Sequence, residues 1–153
     1  MKESVIKALI NGLYGKNTHC TPKKAIEGLT PTTAKIKPEN NYHSCWESLH
    51  HIVVWQDALI EALKGKQVDW QNISKNKNWP KAEYLSDDDN FTQLVKKFEN
   101  GLTQTEELLK NVDLHDPMPS WENKPNIQAV VVLLQHNSYH IGQIVAVRKI
   151  LGI

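Results

Sequence analysis

Two histidines, His136 and His140, stand four residues apart in a stretch with helical periodicity. On a helix that spacing places both imidazoles on one face, about one turn apart, where they can bind the same ion. By helical-wheel angles the pair sits at one edge of the apolar stripe of its helix, dry enough to exclude bulk water and still open toward the surface. No Glu lies between them in an H-E-x-x-H pattern, so this is not the helix of a zincin. Spacing alone does not decide the matter, because two histidines four apart also arise by chance and can each hydrogen-bond at a helix boundary. A third ligand must come from elsewhere, and the adjacent His50 and His51 are the candidates. Both fall off the centre of their helix's stripe, His50 somewhat closer to it, and periodicity leaves open which of them points at a metal.

Other chemically capable side chains have simpler readings. Glu47, four before His51, could orient it from behind, but it is also placed to complete a capping box. Gln143 lies three after His140 on the same helix edge; it could face an open coordination side, but reads more simply as solvated. Tyr139 points away from the ligands, toward packing or a dimer surface. Cys45 is nearly two turns before His51 and reads as a small buried hydrophobe. Cys20 adjoins His19, and an imidazole can lower a thiol pKa, yet neighbouring side chains in a loop rarely align. His19, His43 and His115 fall in loops or at helix ends and read as solvated. Trp70, Trp79 and Trp121 lie in connections, where they cover bundle edges or a subunit contact, or else wall a substrate pocket near the metal.

Four long helical segments position these residues. The first runs from about Lys2 to Leu13, with Val5, Ile6, Leu9, Ile10 and Leu13 on one face; Gly12 and Gly15 help to end it. A short helix capped by Thr21, with Pro22 in its first turn and Gly28 at its close, follows. The second runs from about Ser44 to Lys64, with Ser44 and Glu47 forming a capping box, a stripe from Trp46 to Leu63, and Gly65 as the stop. Lys66 to Leu85 is a long link. A structureless connection of this length is unusual in a compact domain, so it reads as a crossover that leaves the second and third helices parallel. The third helix runs from about Asp87 to Asn111, with Ser86 as its cap and three aspartates at the positive end of the helix dipole. The fourth runs from about Ile127 to Leu151, bounded by Pro125 and Gly152. No segment alternates with period two, so the fold class is all-α.

The 153 residues suit one domain, 1–153, with a real core. A net charge of +1 without a basic cluster argues against direct nucleic-acid binding. Two cysteines are no disulfide framework. The N-terminal residues are amphipathic and carry an acid, unlike a signal peptide. No apolar run approaches the ~20 residues a membrane helix needs. A cytoplasmic location is the expectation.

The stretch Leu49-His50-His51-Ile52-Val53-Val54-Trp55-Gln56 resembles the second-helix motif of the DinB/YfiT-like superfamily, a histidine with an aliphatic residue two before it, another just after it and often an aromatic four after it. His51 fits this register, with Leu49, Ile52 and Trp55 around it; His50 does not. The stretch His136-Asn137-Ser138-Tyr139-His140-Ile141-Gly142-Gln143-Ile144 resembles the last-helix signature of the same family. The resemblance extends over essentially the whole chain, including the long crossover between the second and third helices. It implies a four-helix bundle with His51, His136 and His140 as ligands of one divalent transition metal, nickel or zinc ahead of iron or manganese. One departure is visible: many relatives carry Asp just before the first histidine of the last helix, where this chain has Gln135. Three imidazoles with open positions describe a catalytic rather than a structural site, and neutral imidazoles do not choose among the metals.

Some members of that superfamily transfer a low-molecular-weight thiol, such as bacillithiol or mycothiol, to an electrophile. The resemblance therefore implies a metal-dependent thiol transferase that needs no protein nucleophile. The alternative is a non-enzymatic metal-binding stress or damage-response protein. A nucleic-acid-associated role is the third reading, against which the balanced charge counts. A homodimer is expected, since bundles of this type commonly pair about a twofold axis.

Overall fold

The computed structural model describes residues 2–16, 19–39 and 42–153. In chain order the helices are α1 (Lys2–Leu13), α2 (Pro22–Ile26), α3 (Pro31–Ala34), α4 (Cys45–Leu63), α5 (Trp70–Asn72), α6 (Asp88–Asn111) and α7 (Asn126–Leu151). The four long helices are those expected from the apolar periodicity. The all-α class holds apart from a two-stranded antiparallel ribbon, β1 (Pro117–Met118) and β2 (Lys124–Pro125), in the loop before α7.

Local chemistry sets the helix ends. The Thr21 side chain accepts from the Lys24 amide at the start of α2. The Ser44 hydroxyl accepts from the Glu47 amide while the Glu47 carboxylate accepts from the Ser44 amide, which closes the capping box of α4. Gly65 and Gly152, just beyond α4 and α7, have φ of 80° and 69°, left-handed values that a glycine adopts at no steric cost. Ser86 does not cap α6. Its hydroxyl donates instead to the Glu83 carbonyl, and Asp87 takes the cap position by accepting from the Asp89 amide. A carboxylate offers the helix dipole a charge that a hydroxyl lacks. A second short helix, α3, capped by Thr30, also stands in the connection read as loop. Val5 of α1 is exposed rather than buried.

The contacts between α4 and α6 advance in step along both helices. The Trp46 ring packs 5.0 Å from Phe91, Gln56 Nε2 donates to the Phe98 carbonyl at 3.2 Å, and Lys64 Nζ donates to Gln104 at 3.1 Å. The two helices thus run in the same direction, which obliges residues 64–87 to travel the length of the bundle. That crossover is not structureless: α5, a π-turn over Ile73–Lys77 and a 3-10 turn at Tyr84–Ser86 occupy it. Between α4 and α7 the order reverses, with Cys45 Sγ facing the Ile144 carbonyl and Gln56 facing Asn137.

Two apolar clusters fill the interior. One gathers Trp46, Leu49, Phe91, Phe98, Ile141 and Ile144 among others; the other gathers Leu59, Leu63, Leu109, Met118, Val130 and Leu133. The gap between them, at the middle of α4 and α7, holds the polar residues: Gln56, Asn137 and the histidines of the two helices. Gln56 is buried there, donating to Phe98 and accepting from the Asn137 amide at 3.2 Å, so one side chain ties α4, α6 and α7 together. Among the described residues, no helix is long and apolar enough to cross a membrane.

Candidate metal centre

His51 of α4 and His136 and His140 of α7 meet at this polar level. The ring centroids lie 4.8 Å apart for His51 and His136, 4.3 Å for His51 and His140, and 4.6 Å for His136 and His140. One ligand nitrogen from each lies within 4.8 Å of the other two. His51 and His140 are buried, and His136 is half-buried. The four-residue spacing on α7 puts its two imidazoles on one side, and the antiparallel packing of α4 brings the third to them.

Hydrogen bonds fix which nitrogen is bare on two of the three rings. The Asn78 carbonyl lies 3.1 Å from His51 Nδ1. A carbonyl only accepts, so Nδ1 carries the proton and Nε2 presents a lone pair. Gln143 Oε1 lies 2.7 Å from His140 Nδ1 and sets the same tautomer there. His136 Nε2 stands 2.9 Å from the bare His51 Nε2, and His136 Nδ1 is buried with no partner. Two oriented lone pairs and an unsatisfied third imidazole around one point are what a shared cation requires.

Electrostatics favours the same protonation state. Burial, followed by repulsion from His140, pushes the His51 pKa down to about 4. Burial and then His140 likewise bring His136 to about 4, and burial lowers His140. With no carboxylate among the three rings, all are neutral at neutral pH, the form in which imidazole binds metal.

The crossover closes over His51. The Trp79 ring stacks on His51 at 4.3 Å and also on His43 at 3.6 Å. The Trp55 indole N–H donates to the Asn78 side chain at 2.7 Å, anchoring the residue whose carbonyl orients His51. His50 turns the other way, its Nε2 directed at the Lys77 carbonyl at 3.3 Å and its ring against Tyr84. Of the two adjacent histidines, it is thus His51 whose ring meets the α7 pair, while His50 does not.

The remaining candidates divide. Glu47 does not touch His51; besides the capping box it pairs with Lys37 at 2.7 Å. Gln143 is not merely solvated, since it orients His140. Cys45 is buried, its thiol pKa pushed up to about 11 by burial, as befits an inert core residue. His19 directs one ring nitrogen to the Cys20 carbonyl and the other to Ser138, so it is not paired with the Cys20 thiol. His43 is exposed yet stacked on Trp79, and His115 is exposed. Tyr139 is exposed, its ring edge against His140. Asn78 carried no sequence signal for its role, while Trp79, one of the connection tryptophans expected at a bundle edge or a pocket wall, packs on the triad.

Beside the triad lies a cavity of about 170 Å³ lined by Trp55, Leu59, Trp70, Trp121 and Val132. None of the three histidines lines this cavity; the Trp55 ring in its wall stands 6.4 Å from His51 and 6.3 Å from His136, while larger hollows of about 410 Å³ beside Asp57 and about 630 Å³ along α1 lie elsewhere.

Comparison with curated proteins and with solved structures gives no match. The family model of the DinB superfamily matches residues 23–144, a span that includes α4, α6, the crossover and all three histidines. The helical architecture and this match lead to one assignment: the chain belongs to the DinB superfamily.

Proposed function

We propose that His51, His136 and His140 hold one divalent transition metal, nickel or zinc, and that the protein uses it to transfer a low-molecular-weight thiol to an electrophile. The observation that carries the metal reading is the convergence of three neutral imidazoles, two with their Nδ1 protons tied to acceptors and their bare nitrogens turned inward. A cation held by three neutral ligands keeps its full charge, and with an open position it lowers the pKa of a coordinated thiol so that the thiolate persists at neutral pH.

The protein's own part is positional. Asn78 and Gln143 hold two of the rings in their tautomers, and Trp79 stacks on His51 and covers it. In the transfer, the thiol gives up its proton, its sulfur forms a bond to the electrophilic carbon, and the leaving group departs with the electron pair of the bond it loses. The released proton passes to the leaving group or to water. No protein nucleophile takes part.

The test is elemental analysis of protein made without a histidine tag, alongside His51→Ala, His136→Ala and His50→Ala. Close to one metal per chain, lost in the first two variants and kept in His50→Ala, is expected. No metal in any preparation, even after incubation with zinc and nickel, would sink the triad. Metal bound as expected without transfer from any small thiol would overturn the transferase and favour a non-enzymatic metal-binding stress or damage-response protein.

A further inference from the structure

The apolar cavity and the histidine triad are built on the same two helices, one turn apart. Trp55 follows His51 by four residues on α4, and Val132 precedes His136 by four on α7. One turn of helix advances about 5.4 Å. The Trp55 ring borders both places, 6.4 Å from His51, 6.3 Å from His136 and 6.3 Å from Trp70. Trp70 comes from α5 and Trp121 from the turn between the two short strands, and their rings stand 6.2 Å apart. The helical seam and two separate connections thus supply a wall of three indoles beside the proposed metal.

The wall offers shape and dispersion rather than hydrogen bonds. The Trp55 indole N–H is engaged by the Asn78 side chain and the Trp70 indole N–H by the Ser120 carbonyl. Leu59 and Val132 complete the lining, Val132 at its exposed edge. A volume of about 150 Å³ accommodates a benzene ring, and the hollow here, about 170 Å³ and open to solvent beside Val132, has that capacity. Flat indole faces add stacked and edge contacts to an aromatic guest beyond what burial alone gives.

We infer that this cavity binds a single aromatic ring of the electrophilic substrate, with the reactive carbon one or two bonds from the ring and directed at the triad. The inference rests on the metal and transfer reading above for the role of the ring's reactive end, but not for the cavity itself. The ring belongs to the electrophile because a small thiol carried on a polar, water-soluble scaffold gains nothing from an apolar wall.

The cavity is tested with benzyl alcohol added to protein labelled with ¹⁵N at tryptophan, before and after incubation with zinc. Saturable shifts of the Trp55, Trp70 and Trp121 indole signals are expected, with Trp46 and Trp79 unmoved. Cyclohexylmethanol, of similar size and not flat, should bind at least threefold more weakly. Val132 is exposed, so Val132→Trp fills the mouth without disturbing the core; it should abolish the shifts and keep the wild-type zinc content. Shifts that are absent, common to all five indoles or unaffected by Val132→Trp would overturn the cavity whatever the metal content, and equal binding of the saturated alcohol would overturn the aromatic preference. Shifts intact in a protein that binds no metal would instead sink the triad reading, and with it the assignment of the ring to a substrate of that site.

Discussion

The backbone carbonyl of Asn78 lies 3.1 Å from Nδ1 of His51, so the crossover between α4 and α6 sets the tautomer of a histidine 27 residues before it. Asn78 is itself held by the Trp55 indole N–H at 2.7 Å. Asn78→Ala keeps the carbonyl and removes its anchor. Partners of this kind are worth 10–100-fold in metal affinity, so zinc affinity should fall about tenfold while the stoichiometry at saturation stays the same. Competition with a chromophoric chelator reads both. An unchanged affinity would show that the carbonyl needs no anchor.

Gln143 offers a cleaner version of the same test because its acceptor is a side chain. Gln143→Leu removes the oxygen 2.7 Å from His140 Nδ1 and should weaken zinc binding by about 10–100-fold. Gln143→Glu retains an acceptor and adds a charge, and should bind at least as tightly as the wild type. Equal affinity in all three proteins would mean that His140 is oriented by packing alone.

The metal-free protein should lose stability in mild acid. The folded pKa values of His51 and His136, about 4, lie below the ordinary imidazole value of about 6.5. Between these limits the unfolded chain binds protons that the folded chain refuses, so stability is full above about pH 6.5, falls with the pH and levels off below about 4. The effect is on the order of 2–3 kcal/mol per group at most, because part of each shift is repulsion among the same three rings. Urea midpoints at pH 7.5 and pH 5 measure it, and His136→Gln should flatten the difference. Coincident midpoints in the wild type would show that these imidazoles titrate normally.

Two glycines within long helices should respond to alanine with opposite signs. A Cβ on Gly101 would stand 1.8 Å from Gln56 Nε2, an atom bonded to the Phe98 carbonyl in the buried polar layer. Relieving that clash breaks the hydrogen bonds that join three helices, and overpacking typically costs about 1–3 kcal/mol. The roughly 1 kcal/mol of helix propensity gained does not offset both, so Gly101→Ala should destabilise by about 1–2 kcal/mol. Gly142 has no atom within 4 Å of its built Cβ, and Gly142→Ala should stabilise by about 0.5–1 kcal/mol. Chemical denaturation of the two variants measures both changes.

The four long helices, the capping box of α4 and the spacing of His136 and His140 were legible in the amino-acid order, because periodicity and capping are local and need no partner, although the cap of α6 proved to be Asp87 rather than Ser86. The choice of His51 over His50 was not legible from the residues themselves. Both lie off the stripe of α4, and the second-helix resemblance alone favoured His51. Only the placement of α7 and of the crossover decides that one ring meets His136 while the other turns to Lys77. Gln143 was visible on the right helix edge, but its bond to His140 depends on a rotamer that spacing does not determine. Asn78 was invisible as a site residue, and Trp79 was a candidate wall that could not be placed, since their roles follow from where a long connection comes to rest on α4. Nothing in the spacing of Trp55, Trp70 and Trp121 brings them together either. They converge because α4, α5 and the turn after β1 pack at one end of the α4–α7 seam. Local order determined the helices and the histidine pair, and long-range packing decided which α4 histidine joins that pair, how its ring is oriented and which indoles stand beside it.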